Sequence, residues 1–311
     1  MSHIYLYSPS GAVRDRAGFR RACKRLQAQG HEVEPDPDAL SSFQRFAGDD
    51  DARLAAIGRA AASGADVLLT TRGGYGLTRL LERLPYAQIQ QSIERGSAWV
   101  GLSDFTALQL AVLARTGGQT WAGPALLEDW AGEGEPDEIM QACFDDLLQG
   151  VGEGAGWRVP AADRKAYPHL AEMAEGWSVE SATLWGGNLS VLCSLLGTPY
   201  WPQIEGGILF LEDVAEHPYR IERLLSQLLH AGVLGRQRAI LLGAFNRFEL
   251  SAHDRGFKLA SAVQWLREQL GPTLPVLTGL PFGHVPTKVL LPVGRPVQLL
   301  LQEREALLYW G

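Results

Sequence analysis

The sequence predicts an α/β protein: an N-terminal domain on a mostly parallel sheet that carries a nucleophile turn, then a C-terminal α/β domain ending in a β meander. Three observations lead there. Short apolar runs alternate with helical patterns through the first half, the same strand–turn–helix repetition restarts near residue 181, and the tail changes to short apolar runs split by turn residues. A length of 311 residues fits two domains. Their expected limits are 1–150 and 181–311, with 151–180 as a linker region.

Residues 4–7 form an apolar run closed by Ser8-Pro9-Ser10-Gly11. Helical patterns follow over about 15–29, stopped by Gly30, and over 53–62, stopped by Gly64. Residues 67–70 read as a strand that breaks at Arg72-Gly73-Gly74-Tyr75-Gly76. A strand over 99–102 leads into a helix over 105–115, ended by Gly117-Gly118. The pattern weakens from about 125 to 180: 140–148 looks helical, and 150–164 is rich in Gly, Ala and Pro, as a passage between domains would be. In the second half, strands are expected over 182–184, 207–211 and 239–242, and helices from Leu189, over 218–230 and over 259–270. Runs at 288–291, 297–301 and 306–309 compose the meander.

Composition excludes several classes. A net charge of −7, with no long Lys/Arg run, argues against a nucleic-acid partner. No window approaches the ~18 apolar residues of a membrane span, so no membrane partner is expected. Cys23, Cys143 and Cys193 are odd in number and far apart, which fits reduced thiols rather than disulfides or a zinc site. The start MSHIYLYSPSG lacks the basic and apolar regions of a signal peptide, so a cytoplasmic location is expected.

Ser103 falls at the turn between a strand and a helix. Such a turn thrusts its side chain out of the sheet and brings backbone N–H groups beside it, as a nucleophile with an oxyanion hole requires. The spelling Gly101-Leu102-Ser103-Asp104-Phe105 lacks the second glycine of G-x-S-x-G, and on local sequence alone a Ser-Asp pair is more commonly an N-cap. His284, in Gly279-Leu280-Pro281-Phe282-Gly283-His284, sits on a loop able to present a general base; a surface histidine is the plainer reading. Glu212 and Asp213 end a strand, where a carboxylate could orient an imidazole or cap the next helix. His217, before Pro218, is a rival base that reads as packing or surface. The 72–76 loop lacks the residues of a P-loop or a dinucleotide site, and suits an oxyanion donor better than a phosphate cradle.

Five ordered segments resemble the serine LD-carboxypeptidase family, which includes the muramoyl-tetrapeptide carboxypeptidases and the microcin-immunity peptidases. They are Thr71 to Gly76; Gly101 to Leu108; Gly186-Gly187-Asn188-Leu189-Ser190; Leu211-Glu212-Asp213 with Pro218 to Arg223; and Gly279 to His284. The match spans roughly 4–299. The resemblance implies Ser103 as nucleophile, Glu212 as the orienting acid with Glu216 as the alternative, and His284 as base. It also implies an oxyanion hole from the N–H groups of Asp104 and either Gly73 or Gly74, a site between two domains, and a homodimer. Neither a cofactor nor a metal is expected. Phe105 and Thr70-Thr71 depart from the family's usual residues without touching a catalytic role.

The implied substrate is a murein tetrapeptide, cut to release terminal D-alanine. Arg72, which could clamp a terminal carboxylate or pair with an acidic neighbour, joins Tyr75 and Asn188 as substrate-binding candidates. Two alternatives stay open: a peptidase of the same family acting on peptidyl nucleotides, and a non-catalytic two-domain protein that binds a small ligand.

Overall fold

The computed structural model describes residues 1–171 and 176–311. Residues 172–175 of the expected linker lie outside the described residues. Two compact units are formed. One comprises Met1–Gly152, Gly197–Pro202 and Pro286–Gly294; the other comprises Glu153–Leu196, Gln203–Val285 and Arg295–Gly311.

The first unit is built on a six-stranded sheet in the order Leu291–Val293, Thr120–Ala122, Ala98–Gly101, Val67–Thr70, His3–Tyr7, Glu32–Pro35. All neighbours are parallel except Leu291–Val293, which runs antiparallel to Thr120–Ala122. Val67–Thr70 is buried along its whole length, so it reads as a run of apolar residues rather than an alternation. Ile4, Leu6, Val67, Leu69 and Val100 pack with Phe19, Leu26, Trp130 and Phe144 into one core. Asp15 and Asp49 cap the helices Arg16–Ala28 and Asp50–Ala62, each accepting an N–H at 2.8 Å. Several elements lie outside the expected pattern. Glu32–Pro35 is a mostly exposed edge strand with little apolar signal, Thr120–Ala122 has three residues, and the helix Tyr86–Glu94 begins after Pro85 without a side-chain cap.

The second unit has seven strands in the order Val276–Thr278, Ala239–Asn246, Ile208–Val214, Trp177–Asn188, Pro296–Gln302, Glu305–Tyr309, Gly154–Arg158. Trp177–Asn188 serves two pairings. Leu184 to Asn188 runs parallel to Ile208–Val214, whereas Trp177 to Thr183 runs antiparallel to Pro296–Gln302. The meander is Pro296–Gln302 with Glu305–Tyr309, extended by Gly154–Arg158 from within the 151–180 segment. Residues 288–291 differ from expectation: they lead into Leu291–Val293, the edge strand of the first unit. Among the described residues no helix is long and apolar enough to cross a membrane.

That edge segment is fixed by polar contacts. Lys288 Nζ donates to Asp129 Oδ1 at 2.6 Å with both side chains 2% exposed, and Thr287 Oγ1 donates to Asp137 Oδ2 at 2.6 Å. Burial pushes the Asp129 carboxyl above its ordinary value despite the ammonium beside it. Breaking such a pair strands a buried charge. Lys288→Met is predicted to lower unfolding free energy by about 3 kcal/mol in urea titration at pH 7. The deficit should shrink toward pH 5, because the orphaned Asp129 can then take a proton in the folded state. A loss below about 1 kcal/mol would show that the pair contributes nothing beyond a surface ion pair.

Candidate active site

Strand Ala98–Gly101 leads through Leu102 into a 3-10 turn, Ser103–Phe105, that continues as helix Thr106–Thr116. Ser103 lies at the turn with φ 66°, in the left-handed region that costs an L-residue about 1–2 kcal/mol. The sharp turn needs room on both sides. A Cβ on Gly101 would stand 2.6 Å from the Phe105 ring, and one on Gly73 would stand 2.7 Å from Ser103 Cβ and 3.0 Å from its Oγ. The glycine loop thus lies directly against the serine. The N–H of Asp104 belongs to the first turn of a helix, where no intrahelical acceptor exists.

Asp104 itself is buried and turns inward. Its Oδ2 accepts Ser10 Oγ–H at 2.7 Å and Leu77 N–H at 2.8 Å, and burial raises its carboxyl to about 6. Gly74 and Gly76 take φ values of 93° and 158°, so the loop is one that glycine alone adopts comfortably. Gly73 O accepts Gly11 N–H at 3.3 Å. Arg72 donates to Ala12 O at 3.2 Å and forms no ion pair among the described residues. Its guanidinium lies over Gly11 and Gly74, where added Cβ atoms would approach to 3.4 and 3.5 Å. Tyr75 is half exposed, its ring 5.9 Å from that of Phe46 and 5.8 Å from the Arg45 guanidinium.

In the second unit, strand Ile208–Val214 continues past Leu211, and its register against Ala239–Asn246 shifts between Leu211 and Asp213. The irregularity falls on Glu212, as bulges do where a side chain is re-aimed. Glu212 is fully buried. Its Oε2 lies 2.8 Å from His284 Nδ1, and its Oε1 accepts Asn188 Nδ2–H at 3.1 Å. The His284 loop can come this close only because glycines line it. A Cβ on Gly283 (φ 128°) would sit 3.1 Å from Glu212 Oε2, and one on Gly243 would sit 2.4 Å from Phe282 O. Asn246 Nδ2 holds the His284 carbonyl at 2.9 Å.

Asn188 ends Trp177–Asn188 in register with Glu212 and is buried. Its Nδ2 donates to Asp213 Oδ1 at 2.9 Å as well as to Glu212, while its Oδ1 caps helix Leu189–Ser194 through Val191 N–H at 3.1 Å. Asn188 therefore bridges the two carboxylates. Glu216 instead pairs with Arg220 one helical turn on. His217 caps helix Pro218–His230 and contacts Asp254 Oδ2 at 3.3 Å. Arg53, Ser10 and Asn246 were not singled out by sequence pattern: Arg53 pairs with Asp50 on its own helix, but its bond to Gly76, that of Ser10 to Asp104 and that of Asn246 to His284 span 23 or more residues. Among the described residues no group of three or more His, Cys, Asp or Glu side chains could hold a metal ion.

The chain is 35% identical to muramoyltetrapeptide carboxypeptidase from Oxalobacter formigenes, whose crystal structure superposes with a TM-score of 0.84 over 100% of this chain and 99% of that one. A Bacillus subtilis (strain 168) protein named "Probable murein peptide carboxypeptidase" is 28% identical over 92% of this chain and 85% of its own. The Escherichia coli microcin C7 self-immunity protein MccF is 29% identical over 73% of this chain and 69% of its own. Residues 4–123 match the LD-carboxypeptidase N-terminal domain and residues 181–299 the LD-carboxypeptidase C-terminal domain, so the chain belongs to the LD-carboxypeptidase family of peptidases.

Proposed function

We propose that the chain is a serine-type LD-carboxypeptidase that releases terminal D-alanine from murein tetrapeptides, with Ser103, Glu212 and His284 as its triad. The observation that carries this reading is the buried Glu212–His284 pair at 2.8 Å. A carboxylate on Nδ1 fixes the tautomer in which Nε2 takes a proton. Ser103, on its left-handed turn against Gly73, supplies the nucleophile. The similarity to murein peptide and muramoyltetrapeptide carboxypeptidases supports the substrate class.

The steps follow from these roles. His284 Nε2 removes the Ser103 hydroxyl proton as Oγ attacks the carbonyl carbon of the scissile peptide. The N–H of Asp104 and that of Gly73 or Gly74 hold the oxyanion. Collapse breaks the C–N bond, and His284 returns its proton to the departing amine of D-alanine. Water, deprotonated by His284, then hydrolyses the ester and restores Ser103. Glu212 stabilises the imidazolium in both halves. Arg72, with no carboxylate partner among the described residues, is the candidate for the substrate's terminal carboxylate. The expected cytoplasmic homodimer is part of the same proposal.

Ser103→Ala is predicted to cut kcat by on the order of 10⁴–10⁶ with an unchanged melting temperature. Glu212→Gln should cost on the order of 10³–10⁴, while Glu216→Gln and His217→Ala stay close to wild type. Wild-type turnover in Glu212→Gln, or its loss in Glu216→Gln, would mean that the wrong acid has been assigned. Gly73→Ala should lose about 10² or more in kcat, since the new methyl displaces the loop or the serine by a fraction of an ångström. Parallel assays with a murein tetrapeptide and aspartyl sulfamoyl adenosine decide the substrate. Release of D-alanine alone upholds the proposal, and cleavage of the nucleotide alone overturns it.

A further inference from the structure

Two buried charged side chains in the first unit are absent from the mechanism above. Arg53 is fully buried on helix Asp50–Ala62, and Asp104 is buried beside Ser103. They grip the same two loops. The peptide joining Gly76 to Leu77 is held at both polar ends: Arg53 Nη1 donates to Gly76 O at 2.9 Å, and Asp104 Oδ2 accepts Leu77 N–H at 2.8 Å. The Pro9-Ser10 segment is treated alike. Arg53 Nη1 donates to Pro9 O at 3.1 Å, and Ser10 Oγ–H donates to Asp104 Oδ2 at 2.7 Å. The two loops also meet directly, through Gly11 N–H on Gly73 O. A planar peptide with its carbonyl pinned has its N–H direction set as well.

We propose that Arg53 and Asp104 form a charged clamp that sets the glycine loop against Ser103, and that ionised Asp104 is required for turnover. This rests on the reading of Ser103 as nucleophile and of the Gly73–Gly74 loop as oxyanion donor. Asp104 and Arg53 act here as positioning residues. Every partner of the Asp104 carboxyl is a donor: Ser10 Oγ and the N–H groups of Gly76 and Leu77, with the Arg53 guanidinium the charged group facing it. A protonated carboxyl would turn an O–H toward these groups; the backbone N–H groups cannot accept it, and Ser10 Oγ can do so only by turning its own hydrogen away from the carboxyl. With that carboxyl raised to about 6, this change falls between about pH 7 and pH 5. The fold responds in the opposite sense. A carboxyl raised in the folded state adds stability that is complete below its unfolded value, near 3.8, and lost as pH rises through about 6. Acidification from pH 7 to 5 thus opens the clamp without destabilising the protein through this group.

The test is the pH dependence of kcat/KM for wild type, Ser10→Ala and Asp104→Asn, with melting temperatures measured at each pH. Wild type should lose activity on the acid side with a log–log slope approaching about 2, one proton for His284 and one for Asp104. Ser10→Ala removes a bond that favours the ionised form, so its acid limb should move up by about one pH unit. Asp104→Asn should show a slope of about 1 and a lower plateau in kcat rather than a raised KM. A wild-type slope of about 1, or an unshifted limb in Ser10→Ala, overturns the clamp even if Asp104→Asn fails to fold. Ser103→Ala separates this from the underlying reading. Activity surviving in Ser103→Ala removes the nucleophile assignment itself, whereas an inactive Ser103→Ala with unchanged pH profiles removes the clamp alone.

Discussion

The left-handed backbone at Ser103 is the constraint around which the first unit is arranged. An L-residue at φ 66° pays for its crowded carbonyl, and the surrounding chain has to hold it there. Helix Thr106–Thr116 supplies that hold by burying seven consecutive residues, Thr106 to Val112. With the helix start fixed by its packing and strand Ala98–Gly101 fixed by parallel neighbours on both sides, the residues between them have little freedom. The small side chains follow from this. Gly101 makes room for the Phe105 ring, and Gly73 lets a second strand end approach the turn. Phe105 stands where the second glycine of the usual elbow would be, and its ring packs into the space that Gly101 leaves.

A parallel sheet explains why the loops converge. Strands His3–Tyr7, Val67–Thr70 and Ala98–Gly101 are adjacent and run the same way, so the segments Ser8 to Gly11, Arg72 to Gly76 and Leu102 to Asp104 leave the sheet at one end. Loops at such an end carry unpaired backbone groups. Here buried ionic groups satisfy them, with Arg53 on carbonyls and Asp104 on N–H groups. Charge is spent on holding main chain in place, which leaves the loop's remaining N–H groups directed by geometry rather than by solvent.

The repetition of strand and helix was legible because the central strands are apolar runs and most helices end at glycine. The helices over 15–29 and 218–230 appear close to where the pattern put them, as Arg16–Ala28 and Pro218–His230. Residues 288–291 were not legible, because apolar spacing cannot say which sheet a strand joins; the Lys288–Asp129 pair decides it across 159 positions. Ser103 stood out through its place between a strand and a helix and His284 through its Gly- and Pro-flanked loop, and the structure gives nearby glycines a steric reason at Gly73, Gly243 and Gly283. Glu212 and Glu216 could not be separated by sequence, since both follow the same strand. The bulge at Glu212 and the helical pairing of Glu216 with Arg220 separate them physically. Arg53 looked like an ordinary helix residue; its ion pair with Asp50, the Phe46 ring beneath it and its contacts with Pro9 and Gly76 together account for its burial.

Glu212 and Asp213 place two buried carboxylates on consecutive residues, a costly arrangement unless each is well supplied with donors. Asp213 accepts four: Ser190 N–H and Oγ–H, Asn188 Nδ2–H and Val214 N–H. Burial nevertheless leaves its carboxyl above the ordinary value, and the charge on Glu212 adds to that. Asn188 bridges the two acids with one neutral amide. A lysine or arginine there could neutralise both carboxylates, but it would also compete with His284 for the charge on Glu212. The proposed triad role needs that charge to be available when the imidazole takes its proton. An amide orients Glu212 while adding no countercharge, so the acid is fixed in place and its negative charge remains directed at Nδ1. The same division appears in the first unit, where ionic groups hold backbone behind Ser103. In both units the residues behind the proposed reacting groups supply position, and the electrostatic work is left to the groups in front.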